Sequence, residues 1–116
     1  MRLEPQIRDG VCVLRLKGRF VTGSDAEFLA ARDYLTEAGI ANAILDLNSV
    51  PYIDSTGLAF IVELHKSLVA RGGQLLLVGA NPRVREVLEM TRIAEIVPQF
   101  SDLESARNGA RGAAVC

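Results

Sequence analysis

The sequence predicts a single α/β domain with a mixed β-sheet of four to five strands and about four α-helices. Aliphatic strand-type segments alternate with helix-type segments in the order β-β-α-β-α-β-α-β-α, which is typical of a layered α/β fold. Most of the helix-type segments carry a recognisable start signal, and no internal repeat or linker divides the chain. We therefore predict one domain over residues 1–108 and a flexible tail over residues 109–116, which lack a periodic apolar pattern.

The composition excludes several functional classes. The chain has 116 residues, 49% of them apolar, and 13 basic against 14 acidic side chains, so neither a nucleic-acid partner nor disorder is indicated. Its aliphatic runs are too short for membrane insertion, and its first residues lack an apolar signal region, so we expect a cytoplasmic protein. Cys12, Cys116 and the single histidine make neither a disulfide framework nor a typical zinc site, so no metal or cofactor is predicted.

The first segments predict a β-hairpin. Residues 3–7 form an edge strand that tolerates Pro5, and Asp9-Gly10 is a strong hairpin signal. The strand over residues 11–16 is covered on both faces near its start, and Cys12 within it is a small core residue.

The next segment predicts the first helix. Ser24-Asp25-Ala26-Glu27 has the spacing of a capping box, so the helix is expected to run from Asp25 to Ala38 and to end at Gly39. Its inward stripe consists of Phe28, Ala31, Leu35 and Ala38.

The central segment predicts a strand, a turn and a long helix. Residues 43–47 are near-continuous aliphatics, as in a strand buried on both faces, and residues 54–57 open the helix. Residues 71–73 close it with a cation and glycines. Its apolar stripe consists of Leu58, Ile61, Val62, Leu68 and Val69.

The last segments predict two strands and two helices. Residues 74–78 form another buried strand, and Asn81-Pro82 is an N-cap followed by proline at the first helical position. Ile96-Val97 is expected to be a short last strand, and the capping box over residues 101–104 starts a final short helix. The stripe of the preceding helix consists of Val84, Val87, Leu88 and Thr91.

Three helix starts are expected at one edge of the sheet. If the strands before Ser24, Ser55 and Asn81 are parallel, their carboxyl ends lie together, which is where α/β domains bind ligands and partners. Helix N-termini offer unpaired N–H groups and a positive dipole, so this edge suits a phosphate or an acidic partner. Ser55 is expected to be exposed there, where a phosphate on its hydroxyl would meet donors.

These residues resemble a known family. The run Asp54-Ser55-Thr56-Gly57-Leu58 follows an aliphatic strand and opens a long helix, and the strand of residues 73–79 then precedes Asn81-Pro82-Arg83-Val84. The pattern is similar to STAS domains, above all to the bacterial anti-sigma factor antagonists, over about residues 7–107.

The resemblance implies a non-enzymatic switch. The unmodified protein would bind an anti-sigma factor, often a serine kinase, and so release a sigma factor. Phosphorylation of the serine at the position of Ser55 would end binding, and a PP2C-type phosphatase would restore it. We also predict a monomer or weak dimer, and we assign partner binding to Thr22, Gly23, Ser24, Asp54, Thr56, Gly57, Leu58, Asn81, Pro82 and Arg83.

Two departures from the family pattern keep a second interpretation open. Val21 stands where members often carry an aspartate in the partner-facing loop, and Ala59 stands where a glycine often follows Leu58. The alternative is a STAS module of a stress-signalling scaffold, a lipid-transport complex or a nucleotide-sensing system.

Three further interpretations of the same residues remain to be compared with the structure. Asp54 or Ser55 could be a simple helix cap. Ser55 could be a hydrolase nucleophile, although His65 lies ten residues along the helix, about 15 Å away. Asp54 could be a receiver-type phosphoaspartate, although no acidic pair is evident at the end of the second strand.

Overall fold

The computed structural model describes residues 2–8, 10–18 and 25–108, and it confirms the predicted mixed sheet. The strands are β1 (Arg2–Arg8), β2 (Val11–Lys17), β3 (Asn42–Ser49), β4 (Gln74–Val78) and β5 (Gln99–Phe100). They lie in the spatial order β1-β2-β3-β4-β5, with β1 antiparallel to β2 and all other neighbours parallel. The parallel arrangement brings the carboxyl ends of β2, β3, β4 and β5 to one edge.

Five helices accompany the sheet within the described residues. They are α1 (Asp25–Glu37), α2 (Ser55–Ala70), α3 (Pro82–Met90), the short α4 (Ile93–Ile96) and α5 over residues 103–108. Helices α1 to α4 share the main apolar cluster with one face of the sheet. Helix α5 covers the opposite face, where Ala106 and Leu103 meet Val13, Ile44 and Leu76. The fold therefore has two apolar layers, one on each side of the strands.

Most strands and helices follow the predicted patterns. Along β2 the residues from Val11 to Leu14 are all buried, and Cys12 is fully enclosed, which raises the pKa of its thiol. Pro5 lies in the edge strand β1, opposite Leu14. The predicted hairpin residue Asp9 and the capping residue Ser24 lie outside the described residues, as do Val21, the tail over 109–116 and its Cys116.

The predicted last strand was wrong. Ile96 ends helix α4, and the amide of Val97 donates to the carbonyl of Ile93 at 2.9 Å, so these residues form a helical turn. Ile93 and Val97 are both buried at helical spacing, which is why a β-branched pair in this place does not form a strand. Strand β5 forms instead at Gln99–Phe100, beside β4.

Smaller deviations concern helix ends and stripes. Helix α1 ends at Glu37 with Ala38 exposed, and Val69 of α2 is 49% exposed, because these residues lie outside the arc that faces the sheet. Thr91 is also exposed, and its hydroxyl donates to the Val87 carbonyl. The cap of α5 is Asp102 rather than Ser101, since its carboxylate accepts from the Ser105 amide at 2.8 Å; this bond lowers the pKa of Asp102.

Candidate functional site

The start of α2 is fixed by Asp54. This residue adopts an extended backbone, and its Oδ1 accepts from the amides of Thr56 at 2.9 Å and Gly57 at 3.1 Å. The next amide, that of Leu58, donates to the Asp54 carbonyl at 3.0 Å. The Asp54 side chain therefore engages two of the four backbone amides that a helix leaves unpaired in its first turn, and its carbonyl accepts the first intrahelical bond.

This arrangement corrects one expectation about Ser55. Two of the first-turn donors that a phosphate was expected to meet, the amides of Thr56 and Gly57, are already bound to Asp54. The Ser55 side chain therefore lies beside a carboxylate as well as at the positive end of α2. Ser55 is exposed, and among the described residues its hydroxyl makes no hydrogen bond. The cap and the exposed hydroxyl are thus carried by two different residues, Asp54 and Ser55.

Asn81 connects the start of α3 with the loop that leads to Ser55. Its Oδ1 accepts from the Val84 amide at 2.8 Å, which makes it the predicted N-cap, with Pro82 at the first helical position. Its Nδ2 donates to the carbonyls of Val50 at 3.2 Å and Pro51 at 3.4 Å. One side chain thus holds two of the predicted helix starts at the same edge of the sheet.

An apolar groove lies between α1 and α2, next to Ser55. The rings of Phe28 and Phe60 stack in it, with centroids 4.2 Å apart and planes inclined by 15°. The groove has a volume of about 320 Å³, and Leu29 on its α1 side is 50% exposed. Its lining comprises Phe28, Leu29, Arg32, Thr56, Ala59, Phe60, Glu63 and Leu64. Sequence analysis missed this groove, because neither helix stripe shows which parts of it stay uncovered.

The other predicted site residues differ in how accessible they are. Gly57 is buried in α2, and Leu58 is half-buried against the main apolar cluster. Pro82 and Arg83 are exposed at the start of α3. Thr22, Gly23 and Ser24 lie outside the described residues, so their assignment to partner binding remains a prediction.

The geometry disfavours the two catalytic interpretations. His65 lies on the same helix as Ser55, ten residues further on, and this spacing corresponds to about 15 Å, too far for proton transfer between the two. Residues 2–8, 10–18 and 25–108 contain no group of three His, Cys, Asp or Glu side chains placed to hold a metal ion, and receiver-type chemistry at Asp54 would need an acidic pair for its cation. None of the described helices is long and apolar enough to cross a membrane.

A mixed α/β sheet with an exposed serine at one strand-to-helix turn, and an apolar groove beside it, is typical of a binding domain. The model of the STAS domain family matches residues 2–106, nearly the whole chain. The chain belongs to this family, within the anti-sigma factor antagonists, which are non-enzymatic regulators that bind anti-sigma factors.

Individual relatives agree with this assignment. A candidate anti-sigma factor antagonist of Bordetella bronchiseptica is 33% identical over 107 residues, which cover 91% of each chain. The anti-sigma-B factor antagonist of Listeria monocytogenes is 37% identical over 76 residues, covering 66% of this chain and 65% of that relative. The crystal structure of a candidate anti-sigma factor antagonist from Thermotoga maritima superposes with a TM-score of 0.83 at 26% identity, covering 94% of each chain. These relatives are all bacterial.

Proposed function

We propose that this protein is a phosphorylation-controlled antagonist of a cytoplasmic anti-sigma factor. In its unmodified form it binds the anti-sigma factor, itself a serine kinase, and releases a sigma factor. Phosphorylation of Ser55 ends the complex, and a PP2C-type phosphatase restores it. The observation that carries the proposal is the exposed Ser55 hydroxyl, which lies at the first position of α2 while Asp54 maintains the cap of that helix.

The surroundings of Ser55 explain how one phosphate would act. A phosphate adds roughly −1.5 to −2 charges at neutral pH. Ser55 lies one residue before Thr56 and one turn before Ala59, both of which line the apolar groove. A partner that covers the groove would have to desolvate this new charge beside the Asp54 carboxylate. The phosphate would therefore weaken binding of the partner without destabilising the free domain.

A STAS module of another kind is the second candidate, and Val21 motivates it. A stress-signalling scaffold, a lipid-transport subunit or a nucleotide sensor could use the same edge of the sheet with a different partner. Identification of the proteins that copurify with the chain from its native cell distinguishes the two. A histidine-kinase-like ATPase or a sigma-factor regulator supports the first, and a transporter subunit supports the second.

Ser55 is expected to be the phosphorylated residue. Incubation of the protein with its copurified anti-sigma factor and ATP should add one phosphate, which tandem mass spectrometry places on Ser55 because its hydroxyl is exposed. The Ser55→Ala variant should remain unmodified and should still bind the anti-sigma factor. Phosphate on another residue, or undiminished phosphorylation of Ser55→Ala, would contradict the proposal.

Leu29→Asp is expected to weaken binding of the anti-sigma factor. Leu29 is 50% exposed on the groove, so a partner would gain only about half of the 1.5–3 kcal/mol that full burial of a leucine contributes. The aspartate adds the cost of desolvating a charge, so affinity should fall by roughly 10- to 100-fold. Met90→Asp is the matched control, because Met90 is an apolar side chain, 75% exposed, at the far end of α3. Isothermal titration calorimetry of both variants measures the difference, and equal affinities would exclude the groove from the interface.

A further inference from the structure

We infer that Asn81 is a positioning residue that holds the β3–α2 loop, and with it Ser55, in the conformation that a kinase recognises. Its effect on phosphorylation rests on the proposed function, whereas its effect on the loop does not. The sequence pattern had placed Asn81 among the partner-binding residues. The hydrogen bonds instead direct its side chain inward, to the chain's own backbone.

Both polar atoms of the Asn81 carboxamide make hydrogen bonds. Its oxygen must accept from the Val84 amide, which is only a donor, and its nitrogen must donate to the carbonyls of Val50 and Pro51, which are only acceptors. No other orientation of the side chain satisfies these three bonds. A residue that only capped α3 would need the oxygen alone, so the nitrogen contacts, made to residues 30 and 31 positions earlier in the chain, point to a second task.

The loop that Asn81 holds is short and is anchored at both ends. Val50 is 1% exposed and Ile53 is 4% exposed, so both are fixed in the apolar core, while Pro51 and Tyr52 between them face the solvent. The Asn81 side chain donates to the backbone carbonyls of Val50 and Pro51, at the beginning of this loop and only a few residues before Ser55. Because Asp54 and Ser55 follow directly, a change in the loop is transmitted to the start of α2.

Two variants separate the loop contact from the helix cap. Both Asn81→Ser and Asn81→Asp keep an oxygen that can cap α3, as serine and aspartate are good N-cap residues. Both remove the amide donor, and Asn81→Asp also places a carboxylate against the Val50 and Pro51 carbonyls. Glu86→Gln is the control, since Glu86 is exposed elsewhere on α3.

Hydrogen exchange and phosphorylation kinetics test the inference. In Asn81→Ser, the amides of Val50 and Thr56, which donate to the Leu47 carbonyl and to Asp54 Oδ1 at the two ends of the loop, should exchange faster by about three- to tenfold. This is the effect of losing about one net hydrogen bond, and Leu88 of α3 should keep its protection. The KM for phosphorylation of Ser55 should rise by a similar factor with kcat unchanged, and Asn81→Asp should show larger shifts in both.

The outcomes are distinct. Unchanged loop exchange overturns the inference, because Asn81 would then be a cap of α3 alone. Equally faster exchange in the loop and in α3 also overturns it, because the substitution would then destabilise the whole domain. A loop that opens with no change in KM overturns the functional role. Wild-type protein that is never phosphorylated at Ser55 refutes the proposed function, while the exchange data still decide whether Asn81 holds the loop.

Discussion

Ser55→Asp is expected to lower the affinity for the anti-sigma factor by roughly 30- to 5,000-fold, since a buried, unpaired charge in an interface costs about 2–5 kcal/mol. The free energy of unfolding should change by no more than about 0.5 kcal/mol, as for other exposed substitutions. The variant therefore separates binding from folding. Calorimetric titration measures the first quantity and urea denaturation the second.

The fold should tolerate the charge because of where it is placed. Residue 55 is the first residue of α2, whose first turn contains no acidic side chain, and a negative charge there is favoured by the helix dipole by about 0.3–1 kcal/mol. The neighbouring Asp54 carboxylate repels the new charge, which offsets part of this gain. Both terms are small at an exposed position, so the net effect on stability is close to zero.

Ser105→Asp is the matched control for the binding measurement. Ser105 is also an exposed serine near the start of a helix, but α5 lies on the opposite face of the sheet from the groove. It should bind the anti-sigma factor like the wild type. Equal binding of Ser55→Asp and the wild type would refute the switch, and equal loss in both variants would show a general effect of charge rather than a local one.

The fold could be predicted largely because its signals are local. Gln74–Val78 has the bounds expected from a run of aliphatic residues, and Asn81-Pro82 starts α3 as an N-cap followed by proline should. The prediction was wrong at Ile96-Val97, where the β-branched pair indicated a strand. The deciding contact is made with Ile93, one helical turn earlier, and it is tertiary burial rather than propensity that selects the helix there.

In the candidate site, too, the features set by neighbouring residues could be predicted, and those set by packing of distant residues could not. Asp54 and Ser55 were identified from neighbouring residues, because a cap and the position after it depend on the chain within one turn. The donation from Asn81 to Val50 and the stacking of Phe28 on Phe60 join residues about 30 positions apart. Such contacts depend on how the elements pack, which periodicity does not determine. The exposed hydroxyl was therefore predictable, whereas the groove beside it and the side chain that holds its loop were not.

Gly73→Ala is expected to cause the largest loss of stability, about 3 kcal/mol or more, at the upper end of the range for overpacking substitutions. A Cβ at this position would lie 1.7 Å from the Ala41 carbonyl oxygen and 2.3 Å from its carbon. That oxygen accepts from the Gln74 amide at 3.0 Å, where β3 and β4 begin to pair. Because the clash is with backbone, relief requires separating the first residues of two central strands.

Gly72→Ala tests this explanation, because Gly72 is required for its positive φ, whereas Gly73 is required by the close approach of the Ala41 backbone. Gly72 has a φ of 83°, which an alanine adopts at a cost of about 1–2 kcal/mol, but a Cβ there would meet no atom within 4 Å. If steric contact dominates, Gly73→Ala should unfold at a clearly lower urea concentration than Gly72→Ala, with the same dependence of the unfolding free energy on urea. If the positive φ dominates, the order reverses. The direct backbone clash at Gly73, which no side-chain rotation can relieve, is the reason to expect the first result.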